Sequence, residues 1–407
     1  MSEWKRYKLN EIASLSNGIN FDKSAYTSGV KLIGVADFKD RVYPDYGSLQ
    51  EVDSKVVRNG DYLEKGDIVF VRSNGNKELV GRCMMIDRDI PVTFSGFCIK
   101  LHLIDKNKFE PAYFNYLFRT REFKKVMTGT AVGANIQNLS QSRLGNCEIN
   151  VPNIETQREL AIIISRYDSL IENYQKQIKL LEESAQRLYK EWFIDLRFPG
   201  HENSKIVNGV PEGWEKKTLS DIATIIMGQS PKSEFYNSVR NGLPFHQGVG
   251  SYGFRFVVDN VYSTSFTRIA ESNSILFSVR APVGRLNITK NKIVIGRGLA
   301  AINHKKGHQS FLYYLLKEKF FKDNIIGNGA IFASISKDEL YNQVFVIPSD
   351  EMVMRYDTIA NKIDKDIQYI DNQIYFLTEG RDRLLPKLMS GEIEVFFKLY
   401  IILWKIS

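Results

Sequence analysis

The stretch LAIIISRYDSLIENYQKQIKLLEESAQRLYKEW, residues 160–192, decides the fold of this chain. Its apolar residues recur at alternating spacings of four and three. The residues in this spacing are Leu160, Ile164, Tyr167, Ile171, Tyr174, Ile178, Leu181, Ala185, Leu188 and Trp192. Those predicted to form the apolar seam are Leu160, Ile164, Ile171, Ile178, Leu181 and Leu188. An apolar period of about 3.5 residues over this length is typical of a coiled coil, because it keeps one seam turned toward a partner helix. The stretch therefore predicts a helix roughly 50 Å long at about 1.5 Å per residue.

A second stretch, YDTIANKIDKDIQYIDNQIYFLTEGRDRLLPKL at residues 356–388, repeats this spacing. The residues in this spacing are Tyr356, Ala360, Ile363, Ile367, Ile370, Ile374, Leu377, Arg381, Leu384 and Leu388, of which all but Arg381 are apolar or aromatic. Those predicted to form the apolar seam are Ile363, Ile367, Ile370, Ile374, Leu377 and Leu384. Each helix follows a globular segment, so the first helix delivers the chain to the second segment. We expect the two helices to pack antiparallel with both seams buried. The alternatives are that each helix packs on its own globular segment, or that helices pair between chains.

Composition and charge fit a globular protein with an anionic partner. The chain has 407 residues, of which 43% are hydrophobic and 25% charged, and its formal charge is +8. This length is enough for about two to three domains, each with a core of its own. A positive balance favours an anionic ligand. Cys83, Cys98 and Cys147 lack metal-ligand spacing, and no secretory signal follows Met1, so we expect a cytoplasmic protein.

The globular segments repeat each other as the helices do. WKRYKLNEIA at residues 4–13 resembles WEKKTLSDIA at residues 214–223, and IVFVR at 68–72 resembles LFSVR at 276–280. The second pair places Arg72 and Arg280 at equivalent strand ends. Short β-branched and aromatic runs predict strands, and residues 115–125 and 309–322 predict short helices. We therefore predict an α+β fold with a mainly antiparallel sheet in each segment, and an internal pseudo-two-fold repeat.

No motif in the sequence carries catalytic chemistry. The chain has neither a GxxxxGK[ST] phosphate loop nor an HExxH zinc motif, and its five histidines lack ligand spacing. The sequence around Gly296-Arg297-Gly298 is too short for a dinucleotide fingerprint. No carboxylate pattern of a metal-dependent nuclease is convincing. We therefore predict no active site and no metal site.

Basic and amide side chains cluster near predicted strand ends, where they could bind DNA. Arginine can pair bidentately with guanine, and asparagine or glutamine with adenine, while lysine suits phosphates. The candidate contacts are Arg72, Asn74, Asn76, Lys77, Arg82, Gln229, Lys232, His246, Gln247, Arg280, Arg285 and Arg297. Each of them alone could be an ordinary surface or structural residue, and Arg72 and Arg280 could form a repeated structural salt bridge.

Several stretches of the chain form a distinctive set, namely VPEGWE at 210–215, LSDIA at 219–223, EWF at 191–193, FPGHE at 198–202, SVRAPVG at 278–284, IGRGL at 295–299 and LLPKLMSGEI at 384–393. Through these stretches the chain resembles the specificity subunits of type I restriction–modification enzymes over nearly its whole length. In the first domain, Arg72-Ser73-Asn74-Gly75 replaces the Arg-Ala-Pro-Val-Gly form. We therefore expect the two domains to prefer different DNA sequences.

The resemblance implies a division of the chain into five parts. Residues 1–152 would form a first target-recognition domain and residues 153–197 a central conserved coiled-coil helix. Residues 198–349 would form a linker and a second target-recognition domain, and residues 350–395 a C-terminal conserved coiled-coil helix. The apolar tail at 396–407 departs from the family pattern and is too short to span a bilayer. An edge strand, a docking segment and a disordered end all remain open for it.

The resemblance also implies a non-catalytic reader of double-stranded DNA. Each recognition domain would bind one half of a bipartite target. The coiled coil would set the spacing and would dock two modification (methyltransferase) subunits. S-adenosylmethionine, ATP and magnesium would be bound by those subunits and by restriction (translocase and nuclease) subunits, not by this chain. No membrane partner is expected.

Two other functions compete with this interpretation. A fused methyltransferase–nuclease of the type IIG kind would need a methyltransferase domain, and no Asn/Asp-Pro-Pro-Tyr/Phe motif occurs here. A coiled-coil structural protein would not bind DNA, so salt-dependent retention on duplex DNA would distinguish it from a specificity subunit.

Overall fold

The computed structural model describes residues 4–38, 41–74, 79–128, 138–207, 209–320 and 334–393. The apolar tail at 396–407 lies outside these residues. The chain forms two compact units: unit 1 comprises residues 1–173 and 373–407, and unit 2 comprises residues 174–372. Each unit therefore contains one globular domain and a part of each long helix. The division into five parts expected from sequence remains a prediction.

Domain 1, the globular part of unit 1, is built from short strands and helices. Its strands are β1 (Lys5–Lys8), β2 (Ala13–Asn17), β3 (Tyr26–Ile33), β4 (Gln50–Val52), β5 (Ile68–Val71), β6 (Cys83–Met85), β7 (Val92–Phe94), β8 (Cys98–Leu103) and β9 (Glu148–Val151). Its helices are α1 (Leu9–Ile12), α2 (Pro111–Arg119), α3 (Arg121–Thr128) and α4 (Gln141–Gly145). The short helix predicted at 115–125 is thus two helices, which meet at Thr120.

Two main sheets form domain 1. The four-stranded sheet has the order β2-β8-β5-β6 and is antiparallel throughout, and the three-stranded sheet has the order β4-β3-β7, in which β3 and β7 are parallel. Strand β5 is buried along its whole length because its side chains enter two different cores. The first core lies under α2 and the long helices, and the second lies between the two sheets. The mainly antiparallel architecture predicted from sequence is confirmed.

The long helices are α5 (Ile154–Phe193) and, at the end of the described chain, a helix over Asp350–Met389; each has 40 residues. Asn153 and Ser349 precede them, and their side-chain oxygens accept from the N–H groups of Thr156 and Met352 at 2.9 and 3.4 Å. These contacts satisfy donors that a helix N-terminus leaves without a partner.

Domain 2, the globular part of unit 2, repeats this arrangement. Its strands are β10 (Ile206–Val207), β11 (Val210–Pro211), β12 (Glu215–Thr218), β13 (Ala223–Met227), β14 (Tyr236–Asn237), β15 (Leu243–His246), β16 (Tyr262–Ser263), β17 (Ile269–Ala270), β18 (Ile275–Ser278), β19 (Leu286–Ile288), β20 (Ile293–Ile295), β21 (Leu299–His304) and β22 (Val344–Ile347). Its helices are α6 (Leu219–Ile222), α7 (Gln309–Phe320) and α8 (Lys337–Tyr341), and the second long helix is α9 (Asp350–Met389).

The main sheets of domain 2 share the core topology of those of domain 1, although the second sheet has five strands, in the order β14-β16-β15-β20-β17, where domain 1 has three. The antiparallel sheet β13-β21-β18-β19 corresponds to β2-β8-β5-β6, and the parallel pair β15 and β20 corresponds to β3 and β7. The pair β12 and β22 corresponds to β1 and β9. The internal repeat predicted from the sequence is therefore present in the strand topology.

The two long helices pack against each other within each unit. In unit 1, Leu160 and Ile164 near the start of α5 share a buried cluster with Leu388 and Met389 at the end of α9. In unit 2, Trp192 near the end of α5 lies edge-on to Tyr356 near the start of α9, with 6.0 Å between ring centroids. Early residues of one helix thus meet late residues of the other, so the helices are antiparallel.

The predicted seam positions differ in how deeply they are buried. Ile164, Ile178 and Ile367 are at most 1% exposed. The positions that are half-buried are Leu181, Leu188, Ile363, Ile370, Ile374, Leu377 and Leu384. Arg381 is the polar member of the repeat, and it forms an ion pair with Asp168 of α5. No helix in the described part of the chain is long and apolar enough to cross a membrane.

A tyrosine–aspartate hydrogen bond joins domain 1 to α5. The Tyr116 hydroxyl on α2 donates to Asp168 Oδ2 at 2.8 Å, and Arg381 Nη1 donates to Asp168 Oδ1 at 2.6 Å. Burial raises the pKa of Tyr116, and the nearby Asp168 charge raises it further, so its hydroxyl stays a proton donor. The helix α9 thus supplies the cation that neutralises this carboxylate.

Domain 2 has the same bond with a different cation. The Tyr314 hydroxyl on α7 donates to Asp364 Oδ1 at 3.2 Å. Arg255, from the domain itself, donates to Asp364 at 2.5 Å and to Glu182 of α5 at 2.9 Å. Its guanidinium lies 3.6 Å from the ring centroid of Tyr313, and the residue is 1% exposed. Arg255 therefore connects domain 2 to both long helices.

Candidate DNA interface

Three loops of domain 2 meet where its strands end. The Gln229 N–H donates to Ile295 O at 2.9 Å, the Gly298 N–H to Gln247 O at 3.1 Å, and the Arg297 N–H to Ser230 Oγ at 3.2 Å. These bonds join the loop after β13, the loop after β15 and the turn between β20 and β21. Their positions relative to one another are therefore fixed by two backbone hydrogen bonds and one hydrogen bond to the Ser230 side chain.

The joined loops of domain 2, together with the loop after β18, carry exposed polar side chains. Gln229, Gln247, Arg280 and Arg297 are all exposed. Gln247 and Arg280 also line one small cavity of about 170 Å³. Glutamine and arginine are the side chains that pair bidentately with adenine and guanine edges. This end of domain 2, which we call the reading edge, can therefore present both amide and guanidinium groups to a DNA groove.

The other candidates of domain 2 lie in different settings. Lys232 is exposed and lies 4.0 Å from Glu234. Arg285 is half-buried at the start of β19, and its N–H donates to Ser278 Oγ at 2.8 Å. Lys232 therefore suits a phosphate contact better than a contact to a base edge.

His246 is not available to DNA. Its ring is fully buried, with Nδ1 2.7 Å from Ser251 Oγ and Nε2 2.9 Å from Asp259 Oδ1. Both ring nitrogens thus have partners inside the domain. The structure removes His246 from the set of candidate contacts and gives it the role of holding the loop after β15.

The candidates of domain 1 are less grouped than those of domain 2. Arg72 is half-buried, and its Nη1 donates to Gly96 O at 3.4 Å; Asn74 is also half-buried. Arg82 lines a different cavity, about 760 Å³ in volume, with Arg121 and Lys124. Asn76 and Lys77 lie outside the described residues.

The predicted equivalence of Arg72 and Arg280 is wrong by one residue. Val71 pairs with Cys98 in domain 1 as Ser278 pairs with Leu299 in domain 2. The N–H groups of Arg72 and Val279 then donate to the matching carbonyls of Phe97 and Gly298. Likewise, the bridge from Ser73 to Asn138 matches that from Arg280 to Ser334. Arg280 thus corresponds to Ser73.

This shift changes the interpretation of both arginines. Successive side chains of an extended strand point to opposite faces, so a shift of one residue exchanges the inner face for the outer one. Arg72 occupies the position where Val279 is 4% exposed, whereas Arg280 is exposed. We therefore expect Arg72 to stabilise the turn at Gly96, and Arg280 to be free to reach a groove.

Sequence reasoning missed Phe97, which lies in the turn between β7 and β8. Its side chain is 62% exposed, and its carbonyl accepts from the Arg72 N–H at 2.8 Å. The only signal in the sequence is an aromatic residue directly after Ser95-Gly96, which is a turn dipeptide.

The described residues include no group of three or more His, Cys, Asp or Glu side chains that could hold a metal ion.

Comparisons with known proteins agree with this geometry. A family model described as "Type I restriction modification DNA specificity domain" matches residues 1–183 and 211–374. The chain therefore belongs to this family and carries its domain twice. It is a non-catalytic DNA-specificity subunit, and membership of the family implies no cofactor on this chain.

Individual relatives are similar over most of their length. The MjaX type I restriction enzyme specificity subunit of Methanocaldococcus jannaschii is 32% identical over 81% of this chain and 79% of its own. The HindI specificity subunit of Haemophilus influenzae is 24% identical over 97% of this chain and 100% of its own. The crystal structure of a type I S subunit from M. genitalium has the same fold, with a TM-score of 0.55, 17% identity, and coverage of 95% of this chain and 96% of its own.

Proposed function

We propose that each recognition domain reads one half of a bipartite double-stranded DNA target. The observation that carries the proposal is the reading edge of domain 2, where Gln229, Gln247, Arg280 and Arg297 are exposed on loops joined by backbone hydrogen bonds. Domain 1 repeats the topology with different side chains. Two similar but unequal domains suit a target with two different halves.

The long helices would set the distance between the half-sites and dock two modification subunits. Each helix has 40 residues, and exposed apolar side chains such as Tyr375 and Phe376 lie outside the predicted seam. A restriction subunit would complete the complex. S-adenosylmethionine, ATP and magnesium would be bound by these partners, and the complex would work in the cytoplasm, where it meets chromosomal DNA.

The test of the proposal is the replacement of Arg280 with alanine in the complex with modification subunits. We expect one position in one half-site to become degenerate, because a bidentate base contact provides about 1–3 kcal/mol of discrimination. The other half-site should stay unchanged. Mapping of methylated bases across a genome measures both.

Lys305→Ala is the matched control for Arg280→Ala. Lys305 also carries one positive charge in domain 2, but it follows the opposite end of β21 from the reading edge, and its Nζ donates to Ser220 O at 2.7 Å. We expect this variant to keep the full target. Loss of selectivity in the control, or an unchanged target in Arg280→Ala, would contradict the role of the reading edge.

DNA binding by the complex should depend strongly on salt. Lysine and arginine contacts release counterions from phosphates, so each contact contributes a slope of about −0.9 to log K against log salt. Fluorescence anisotropy of a labelled duplex between about 50 and 200 mM salt measures this slope. A flat response would contradict phosphate binding and would favour a structural role without DNA.

A further inference from the structure

Two neighbouring positions differ in size between the reading edge of domain 2 and the equivalent end of domain 1. Where one domain has a glycine, the other has a large side chain, and the reverse holds at the facing position. Ile33 pairs with Phe94 in domain 1 as His246 pairs with Ile295 in domain 2. The residues that follow, Gly34 and Gln247, are therefore equivalent. On the facing turn the equivalent residues are Phe97 and Gly298, since their carbonyls accept the matching N–H groups of Arg72 and Val279.

In domain 2, glycine is required at the turn. A Cβ atom on Gly298 would lie 2.4 Å from Gln247 O, which is too close for any side chain. The side chain at this point is therefore the exposed amide of Gln247. In domain 1 the relation is reversed: a Cβ on Gly34 would come no closer than 3.7 Å to its nearest neighbour, and the exposed side chain is the ring of Phe97.

The backbone around Phe97 is held in place. Its carbonyl accepts from the N–H groups of Arg72 and Ser73 at 2.8 and 3.3 Å, and the Gly96 N–H donates to Ile19 O at 2.7 Å. The exposed ring of Phe97 is therefore carried by a backbone that these hydrogen bonds hold in one position. Single exposed apolar side chains are common on protein surfaces, and what distinguishes Phe97 is its position, because its turn corresponds to the Gly298 turn of domain 2.

We propose that Phe97 determines the specificity of domain 1 by packing its ring on the C5-methyl group of a thymine in the major groove. This inference rests on the proposed function. The thymine methyl is the apolar group that the major groove offers, and phenylalanine is a side chain that contacts it. Where domain 2 presents an amide to a base edge, domain 1 presents an apolar surface.

The test compares Phe97→Ala with Ile104→Ala in the complex with modification subunits. Ile104 is also 62% exposed, but it follows the opposite end of β8. We expect Phe97→Ala to lose its preference for thymine at one position of the domain 1 half-site, by roughly 4-fold, the usual effect of one methyl-sized apolar contact. The Ile104→Ala complex should keep the full target. Equal melting temperatures would exclude a folding defect.

Synthetic duplexes identify the methyl group itself. Replacing that thymine with uracil removes only the C5-methyl group, so it should weaken binding by the unchanged complex and leave the Phe97→Ala complex unaffected. A domain 1 half-site without thymine, insensitivity of the unchanged complex to uracil, or an equal loss at every sequence would overturn the inference. If the Phe97 inference fails but Arg280→Ala still reduces selectivity at the half-site that domain 2 reads, the proposed function is retained. If the unchanged complex has no bipartite target, the proposed function itself fails.

Discussion

Replacing Arg255 with methionine should lower the free energy of unfolding by about 3–5 kcal/mol, the usual effect of removing one partner from a buried ion pair. Arg255 is 1% exposed, and its two carboxylate partners, Glu182 and Asp364, have side chains only 12% and 17% exposed. Without the guanidinium, Asp364 would keep the Tyr314 hydroxyl but lose its cation, and Glu182 would depend on Lys317, whose Nζ lies 3.6 Å away. Urea denaturation followed by circular dichroism measures the change.

Three further variants separate charge from packing at this site. Arg355→Met is the control, because Arg355 lies in the same unit but has a half-exposed side chain that pairs with the exposed Glu351. Its effect should stay within about 1 kcal/mol. Arg255→Lys should recover little, because an ammonium cannot bridge two carboxylates and stack on a ring as a planar fork does. Adding Glu182→Gln and Asp364→Asn to Arg255→Met should restore part of the stability. A loss no larger than that of Arg355→Met would show that the pair contributes little.

Inserting one heptad into both long helices, after Ile178 and after Ile374, should lengthen the unread spacer of the target by about 3 bp. Seven residues at about 1.5 Å each add roughly 10 Å, and a full heptad keeps the apolar seam in register. One base pair of DNA adds about 3.4 Å. DNA bending or twisting can absorb part of the misfit, which would make the observed change smaller. Methylome sequencing gives the spacer directly.

The insertion needs two comparisons. A heptad in α5 alone should disrupt the helix pair and lower the yield of soluble protein, because the seam of α9 would then lack a matching length. The double insertion should leave both half-site sequences intact. Retained methylation at the original spacer would show that the helices do not set the distance.

Patterns that repeat along the chain were sufficient to predict the main elements. The spacing from Leu160 to Leu188 is a local property of the sequence, and it predicted α5. The antiparallel packing against α9 followed from the order of helices and globular segments along the chain. The duplicated stretches WKRYKLNEIA and WEKKTLSDIA likewise predicted that the two domains share one topology. These signals need no knowledge of which strands are neighbours.

The details of the reading edge depend on contacts between residues far apart in sequence. An arginine follows β5 directly and follows β18 after one further residue, so the similar stretches IVFVR and LFSVR suggested an equivalence that the strand pairing moves by one residue. The sequence around His246 suggests a surface residue, but in the structure its ring is buried and lies beside Asp259. Phe97 becomes a candidate DNA contact only when strand pairing shows that it is equivalent to Gly298 and that Gly34 is equivalent to Gln247. Arg255 has the same difficulty, because a single arginine in a loop reads as solvated.

The repeated tyrosine–aspartate bond has a consequence for chains assembled from parts of different origin. In unit 1 the cation that neutralises Asp168 is Arg381, which stays with the helices when domain 1 is exchanged. In unit 2 the cation that neutralises Asp364 is Arg255, which leaves with domain 2. A foreign domain can thus be grafted at the first position without charge repair, whereas a graft at the second must bring an arginine or be accompanied by Asp364→Asn. Recombination between such genes should therefore be more permissive at the first position than at the second.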